Sequence, residues 1–591
     1  MPRPDLLLVA LNARYIHTNP AVRSLAAYCR DAARVEYIEY PADQPADEAL
    51  AAIVRRRPQA VGFSCYLWNI RPALDLAYAA RQLMPDCAIM LGGPEVSWNS
   101  ADVMAAHPYI DCIVRGEGEE TLRQWLLLRG RGGDTRALAG TTARDGDAVI
   151  ENPDRPPPDM DALPFCYSDE ELRCERIVYY ESSRGCPFSC AYCLSAATNG
   201  VRFRSIDRVF ADLARFARSG TRQVKLVDRT FNCDPGRARS IFAFLMSLRE
   251  RCGNIRPVNF HFELCGDLLD DETLLLLRDA PPGLFQFEIG VQSTHSPALR
   301  AVNRRSGFDA LARPVARLIS TVPAAVHLDL IAGLPGEDID ALSRSFDDVY
   351  RLGPHRLQLG FLKLLHGAPL RRRAEALQIR YAAHPPYEVL STPDLPYEAL
   401  MVLKDIEKLV ELYYNSHIAD SLLRYIVSLA ASPFALYRDM AAWWRKRGLF
   451  DCAHGIDAKF KHLEAFGRLL PGADTARLRS LARYDRLLLG LPGRQERSSE
   501  PPCWRERTRA FFRDPDLVAR YLPHLADRTP QQRGRVCLIE AFSPPIDGGY
   551  PCDTQILLFD YSKPGRARAQ TVAQADLPGL PDNDKGGRNE T

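Results

Sequence analysis

Three cysteines, Cys186, Cys190 and Cys193, fall together in the run SSRGCPFSCAYC. Their spacing, C-x3-C-x2-C, puts three thiolates on one short loop. Three thiolates can each take one iron of a 4Fe–4S cluster and leave the fourth iron open. An open iron lets a small chelating substrate bind and accept an electron. Zinc competes for close cysteines, but a structural zinc wants four protein ligands and favours paired C-x2-C knuckles. No second pair and no histidine pair lies nearby in the sequence, so iron is the stronger reading and zinc or chance clustering the weaker ones. Most of the other cysteines sit in apolar runs, such as Cys65 in VGFSCYLW and Cys265 in FELCGD, and read as small buried hydrophobes.

A second group of residues offers binding rather than reactivity. Ser64 and Asn69, then Gly92-Gly93-Pro94, then Gly116-Glu117-Gly118 each follow a short apolar run. Gly-Gly-Pro also simply makes a tight turn. Three such ends in one region point to a ligand crevice, because open parallel sheets bind ligands beyond the carboxyl ends of their strands.

The elements that must position these groups follow from the hydrophobic pattern. Strands are predicted at Leu6–Leu11, Val35–Tyr40, Ala60–Cys65, Ala88–Leu91 and Cys112–Arg115, with helices such as Ala21–Asp31, Arg71–Leu83 and Glu119–Leu128 between them. That alternation makes residues 1–135 an α/β, flavodoxin-like (Rossmann-like) doubly wound domain. Residues 136–170 contain the proline-rich run NPDRPPPDMDALPF and read as a linker. A second alternating series fills residues 171–385, with strands at Ile177–Glu181, Gln223–Val227, Asn259–Glu263, Gln286–Gly290, Val326–Ile331 and Arg356–Leu362. Six β/α units make a partial (β/α)6 barrel, with chemistry on the loops after the strands. Residues 386–565 turn mostly helical and end in a small α/β piece after the polar run RQERSSEPP. Residues 566–591 are poor in bulky apolar groups and read as a disordered tail.

Composition narrows the class. The chain has 591 residues, 46% hydrophobic and 25% charged, which calls for several domains rather than one core. A formal net charge of +2 makes nucleic acid an unexpected partner, although a local basic patch can hide inside a neutral total. The N-terminal apolar run is short, and no stretch approaches the roughly 20 apolar residues of a membrane span. A cytoplasmic protein without a disulfide framework is the expectation.

The cysteine loop resembles the cluster-binding motif of the radical S-adenosylmethionine (radical SAM) superfamily, with Tyr192 in the aromatic position before the third cysteine. The resemblance runs along the whole barrel. It implies a reduced 4Fe–4S cluster that cleaves S-adenosyl-L-methionine to methionine and a 5′-deoxyadenosyl radical, which takes hydrogen from a substrate. It also implies S-adenosylmethionine contacts from Tyr192 and from successive strand ends: Asp228 with Asn232, Glu263, then Glu288, Gly290 and Gln292, then Asp329, Gly333 and Glu337. Lys363 and His366, after the sixth strand, stand either nearest the substrate or on a solvated barrel rim.

Residues 1–135 resemble the cobalamin-binding domains that precede this barrel in one large subclass. VGFSCYLWNI, LGGPEVSW and VRGEGEET look like its three cofactor-facing loops. The implied cobalamin set is Asn12, Ser64, Trp68, Asn69, Gly92, Gly93, Pro94, Glu95, Gly116, Glu117, Gly118 and Thr121. Small residues there let a flat corrin approach the backbone closely. The Asp-x-His-x-x-Gly motif that places histidine on cobalt is absent, and His17 lacks its context. Residues 386–565 resemble an uncharacterised extension of such proteins.

The resemblance implies an anaerobic, cobalamin-dependent radical SAM enzyme, with C-methylation or a radical rearrangement or cyclisation of a small-molecule or unknown substrate as its reaction. An external electron donor of flavodoxin or ferredoxin type is implied with it. Methylthiolation, with Cys29, Cys65 and Cys87 holding a second cluster, is one alternative. A non-catalytic cobalamin or iron–sulfur sensor is another.

Overall fold

The computed structural model describes residues 3–173, 175–197, 200–251, 257–305, 307–490, 502–547, 554–563 and 565–577. The chain divides into two compact units, Met1–Leu403 and Lys404–Thr591. The first unit therefore runs on past the barrel boundary expected at residue 385.

The first unit opens with strands β1 (Leu6–Asn12), β2 (Val35–Pro41), β3 (Ala60–Ser64), β4 (Ala88–Gly92), β5 (Cys112–Val114), β6 (Thr141–Asp145) and β7 (Ala148–Glu151). They form one sheet in the order β2-β1-β3-β4-β5-β6-β7, parallel through β5 and antiparallel beyond it. All seven positions of β1 are buried, as a parallel strand covered on both faces requires. Its side chains alternate: Leu7, Val9 and Leu11 pack into one core layer, Leu6, Leu8 and Ala10 into the other. Burial of each such side chain contributes about 1.5–3 kcal/mol.

Strands β6 and β7 correct the linker expected over 136–170. Gly146-Asp147 turns the chain between the paired Asp145 and Ala148, with Gly146 at φ +56°, the left-handed conformation a tight hairpin needs. The hairpin adds to the open edge of β5, and only the proline-rich stretch after it behaves as a connection.

The barrel follows: β8 (Ile177–Tyr180), β9 (Ser183–Cys186), β10 (Gly200–Phe203), β11 (Gln223–Leu226), β12 (Asn259–Leu264), β13 (Phe285–Gln292), β14 (Ala325–Ala332) and β15 (Arg356–Phe361). Six of these make a parallel sheet in the order β15-β14-β13-β12-β11-β8, while β9 and β10 form a separate antiparallel pair. Along β13 and β14 buried and half-buried residues alternate strictly. From the apolar set, Phe262, Phe285 and Phe287 pack around Phe242 of the helix Pro235–Arg251, with edge-on ring contacts that add about 0.5–1.5 kcal/mol each. The opposite, polar set lines the inside of the sheet. There Gln223 donates to Asn259 Oδ1 at 2.7 Å and to Gln286 Oε1 at 3.1 Å. A short pair, β16 (Arg380–Tyr381) and β17 (Val389–Ser391), closes the unit.

The second unit is helical from Asp420–Ser428 through Thr475–Leu489. It ends in an antiparallel sheet of β18 (Cys537–Phe542), β19 (Gln555–Asp560) and β20 (Arg568–Val572). Strand β20 corrects the disordered tail expected from residue 566: Val572 and Leu577 join the core of this small sheet. The rest of that tail, 578–591, and nearly all of the run RQERSSEPP lie outside the described residues. Among the described residues no helix is long and apolar enough to cross a membrane.

Candidate active site

The cysteine loop leaves β9 at Cys186 and is held at several points. Gly185 adopts φ +100°, and a Cβ there would stand 2.2 Å from the carbonyl of Gly200 in the paired strand, so only glycine permits this pairing. Cys193 N–H donates to Cys190 O at 3.0 Å, and Ala191 N–H donates to Val302 O at 2.8 Å. Asp228, at the end of β11, is 1% exposed and accepts from Ser182 N, Ser182 Oγ and Ser183 Oγ at 3.0, 2.6 and 2.6 Å. Both its oxygens are thus spent on fixing the start of β9. Burial still pushes its carboxyl up, against those hydrogen bonds.

Cys190 is buried, while Cys186 and Cys193 are half-buried. Cys186 Sγ lies 3.3 Å from Thr230 Oγ1. Burial pushes the Cys190 thiol up, and Arg304, whose Nη1 stands 4.0 Å from that sulfur, pulls it down. Arg304 also donates to Tyr192 Oη at 3.4 Å and to Gly290 O, and its Nε is buried without a partner. Among the described residues no three ligating side chains converge on a single-ion site. Three thiols spread over one loop suit a cluster, in which each thiolate takes a different iron, better than one zinc that draws four ligands to about 2.0–2.3 Å.

Inside the barrel three carboxylates gather. Glu263 and Glu288 are register partners on β12 and β13, and Asp329 pairs with Gly290 on β14. Burial drives Asp329 well up, and the charges of Glu288 and Glu263 add to this. Glu263 is raised by burial too, while Arg229 at 3.8 Å opposes. Asp329 Oδ1 is buried without a partner, an orphan aimed at the interior. His261 Nε2 approaches Glu288 Oε2 at 3.2 Å outside hydrogen-bond alignment, and burial with the nearby Lys225 lowers its pKa to about 3, so it is neutral.

The remaining strand ends are more varied. Gln292 takes φ +71° at a bulge in β13 and folds back over Gly290, where a Cβ would meet its Nε2 at 2.0 Å. Gly333, at φ +93°, leaves room for Val389. Asn232 clamps Cys265 through two bonds, at 2.9 and 2.8 Å. Glu337 accepts from Ser293 and Ser345. The backbone of Lys363 forms an isolated antiparallel β-bridge with Glu388, and His366 packs edge-on against Tyr387 at 5.0 Å.

The ends of β1, β3, β4 and β5 cluster as their register requires. Asn69 is fully buried: its Nδ2 donates to Leu11 O and Ser64 O at 2.8 and 2.9 Å, and its Oδ1 accepts from Tyr66 N. Asn12 donates to His17 O, and Thr121 accepts from Arg155. These three side chains are committed to the scaffold. Gly93, at φ +112°, has Cys65 O where a Cβ would stand, at 2.5 Å; Gly116, at φ +65°, has nothing within 4 Å. Gly92 and Pro94 complete that turn, and Gly118 packs on Val114 and Leu25. Trp68 is stacked on Tyr66 yet half exposed. The open backbone at Gly116 and the half-exposed ring of Trp68, after neighbouring strands of one sheet, suit a large planar ligand. His17 turns to Tyr179, with Nδ1 2.6 Å from its hydroxyl.

Sequence reading missed the residues that join the two sets. Arg184, two before Cys186, donates to Glu117 at 2.8 Å and to Glu119 and Glu181 at 2.7 and 2.8 Å, and Arg202 also reaches Glu117. On the other loop, buried Glu95 accepts a hydrogen bond from Tyr387. Cys29, Cys65 and Cys87 are each buried, with separate backbone contacts and raised thiols, and do not converge. That removes the support for a second cluster.

The two halves of this site match known families. Residues 6–126 match the B12 binding domain, 180–349 the radical SAM superfamily, and 375–559 a protein of unknown function, DUF4080. The chain thus joins a B12 binding domain to a radical SAM domain, the arrangement of cobalamin-dependent radical SAM proteins, whose cofactors are a 4Fe–4S cluster, S-adenosylmethionine and cobalamin. It is 27% identical over 344 residues to the cobalamin-dependent radical SAM methyltransferase TokK of Streptomyces tokunonensis, across 55% of this chain and 50% of that protein. It is 26% identical to 2-(S-pantetheinyl)-carbapenam-3-carboxylate methyltransferase of Streptantibioticus cattleyicolor, across 53% and 48%. The chain thus spans about half the length of these relatives. The fold resembles that of the cobalamin-dependent S-adenosylmethionine radical enzyme OxsB, at a TM-score of 0.57 and 14% identity over 81% of this chain and 79% of that one.

Proposed function

We propose that this chain is a cobalamin-dependent radical SAM enzyme that methylates a carbon atom of a small substrate. The observation that carries the reading is Arg184, which ties the loop after β5, in the B12-binding fold, to the strand that delivers Cys186. Two relatives, both methyltransferases, support methyl transfer over rearrangement or cyclisation.

When bound, the three groups supply one-electron reduction, a radical and methyl source, and a methyl carrier. Cys186, Cys190 and Cys193 hold the cluster, and Arg304 sets a fixed positive charge beside Cys190. Asp228 holds the loop in place. Asp329, its carboxyl pushed well up by burial and by the charges of Glu288 and Glu263, joins those two carboxyls as hydrogen-bonding groups for the polar end of S-adenosylmethionine inside the barrel. Gly116 lets the corrin approach the backbone, with Trp68 and Glu95 beside it, while Gly93 lets the β4 loop close on Cys65.

The test uses the full chain, reconstituted without oxygen with iron, sulfide, cobalamin and a chemical reductant. Both S-adenosylhomocysteine and 5′-deoxyadenosine should form from S-adenosylmethionine. Deoxyadenosine alone would favour rearrangement or cyclisation. Neither product, despite full loading, would leave a non-catalytic binder.

A further inference from the structure

Arg304 reaches the cysteine loop through a turn that is itself bonded to that loop. Ala191 N–H, between Cys190 and Cys193, donates to Val302 O at 2.8 Å. Asn303 Nδ2 donates to Ser189 O and Oγ at 3.0 and 2.6 Å. Asn303 takes φ +55°, a left-handed conformation that asparagine tolerates better than most residues. Arg304 N–H then closes the turn on Leu299 O at 2.8 Å. The side chain runs inward: Nη1 stands 4.0 Å from Cys190 Sγ and 3.4 Å from Tyr192 Oη, Nη2 donates to Gly290 O, and Nε is buried without a partner.

What this guanidinium lacks is a carboxylate. Arg23, Arg184 and Arg204, drawn into the same unit, pair with Glu39, Glu119 and Asp212. Arg304 has no ion pair among the described residues and bonds only a carbonyl, a phenol and a sulfur. An exposed arginine leaves its charge to water; one whose Nε is sealed off does so only in part, and a buried charge without an opposite one is costly. The group beside it that can carry the missing negative charge is Cys190, once it is a thiolate holding iron.

We infer that Arg304 sets the reduction potential of the cluster. The inference rests on the cluster reading above and adds to it a residue outside the cysteine motif. On reduction one electron passes from a one-electron donor, dithionite in the assay, to the irons; the donor is oxidised, no bond forms or breaks and no proton moves. The irons, their sulfides and the three thiolates then carry one more negative charge. A fixed positive charge 4.0 Å from one of the sulfurs favours that state over the oxidised one. Net charge and hydrogen bonds to sulfur are among the factors that spread such potentials, and Arg304 supplies both at Cys190. The rival role is a clamp, in which the bond to Gly290 O simply holds β13 against the loop.

The experiment is a redox titration of the full chain, reconstituted with iron and sulfide, with S-adenosylmethionine left out so that no effect of Arg304 on that ligand enters. The electron paramagnetic resonance signal of the reduced cluster is followed. Arg304→Gln and Arg304→Met, which both remove the charge, should be harder to reduce. At a given applied potential the reduced-to-oxidised ratio should fall about tenfold, which for one electron is about 59 mV. Arg304→Lys, which keeps the charge and changes the bonding, should stay within about threefold of the wild type. Iron content should be equal in all four proteins. The difference should persist at high salt, because a charge packed against the sulfur is screened little. A wild-type potential in Arg304→Gln and Arg304→Met would overturn the proposal, as would a difference that vanishes at high salt. An equal fall in Arg304→Lys, or loss of iron in the variants alone, would overturn it in favour of the clamp. Failure of the wild type to take up iron would strike the cluster reading first and this inference with it, so the iron content tells the two failures apart.

Discussion

Arg184 Nη2 lies 2.7 Å from Glu119 Oε1, and that contact ties the helix after β5 to the cluster-bearing strand. Glu119 is buried, so burial by itself would raise its carboxyl; the charge and hydrogen bond of Arg184 outweigh that and hold it below the usual range. Two sets of cofactor-facing residues, far apart in sequence, are tied into one frame by a guanidinium that also bonds Glu117 and Glu181, with Arg202 on Glu117 and Tyr387 on Glu95 as further ties.

Removing that guanidinium strands buried charge. Arg184→Met should destabilise the chain by about 3–5 kcal/mol, the usual cost of breaking a buried pair from one side. Urea unfolding reads this directly. The pH dependence has a definite sign. Because the folded Glu119 is depressed, its stabilisation is present above the unfolded carboxylate pKa and is lost as pH falls through the folded one. In Arg184→Met that acid-side loss should disappear. Equal slopes in the two proteins would remove Glu119 from the account.

The second prediction separates three cluster ligands from four. Burial pushes the Cys233 thiol up, the charge of Asp228 adds to this, and Cys186 makes the smallest contribution. Cys233 is nonetheless outside the C-x3-C-x2-C loop. Joint replacement of Cys186, Cys190 and Cys193 by Ala should abolish iron binding and leave cobalamin binding largely intact. Cys233→Ser should keep the full iron content, read by metal analysis after reconstitution. Loss of iron in Cys233→Ser would mean a fourth thiolate closes the site.

How much of this was legible beforehand depends on the range of each interaction. Parallel strands buried on both faces announce themselves as apolar runs, and β1 to β5 and the six barrel strands fall within a residue or two of where the pattern puts them. The cysteine loop was legible because its chemistry is local. The hairpin at Gly146-Asp147 carried a recognised turn signal, hidden beside a proline-rich stretch. Asn69 and Thr121 show the limit from the other direction. A buried amide or hydroxyl must be paired, and sequence does not tell whether a ligand or the backbone pairs it; here the scaffold takes most of that capacity. Arg184, Arg304 and Tyr387 were invisible because their partners stand 65, 114 and 292 residues away.

Tyr387 offers a test of the β4 loop. It lies within the DUF4080 match, is buried at φ +54°, and is capped by Arg371 4.7 Å from its ring centre. Burial raises Glu95, and the Tyr387 hydroxyl opposes the rise. Tyr387→Phe removes that donor at constant shape and leaves a buried acceptor unpaired, at about 1–3 kcal/mol. Cobalamin affinity, followed by visible absorbance, should fall about fivefold or more, while iron content stays unchanged. Unaltered cobalamin binding would show that the loop holds its shape without this bond.

Glu337 gives the last prediction, on the alkaline side. Burial lifts its pKa to about 7, the Ser293 and Ser345 hydroxyls pull the other way, and Oε2 has no partner. A carboxyl whose folded pKa exceeds its unfolded one binds more protons in the native state across the interval between them. Stability therefore falls as pH rises from the ordinary carboxylate range through about 7, because the buried group must ionise. Glu337→Gln keeps the shape and the hydrogen-bonding capacity and removes the titration. Thermal unfolding at about pH 5 and about pH 8 should show a drop in the wild type that shrinks in Glu337→Gln. A drop of the same size in both would place the alkaline sensitivity elsewhere, with Asp329 as the next carboxyl raised by burial.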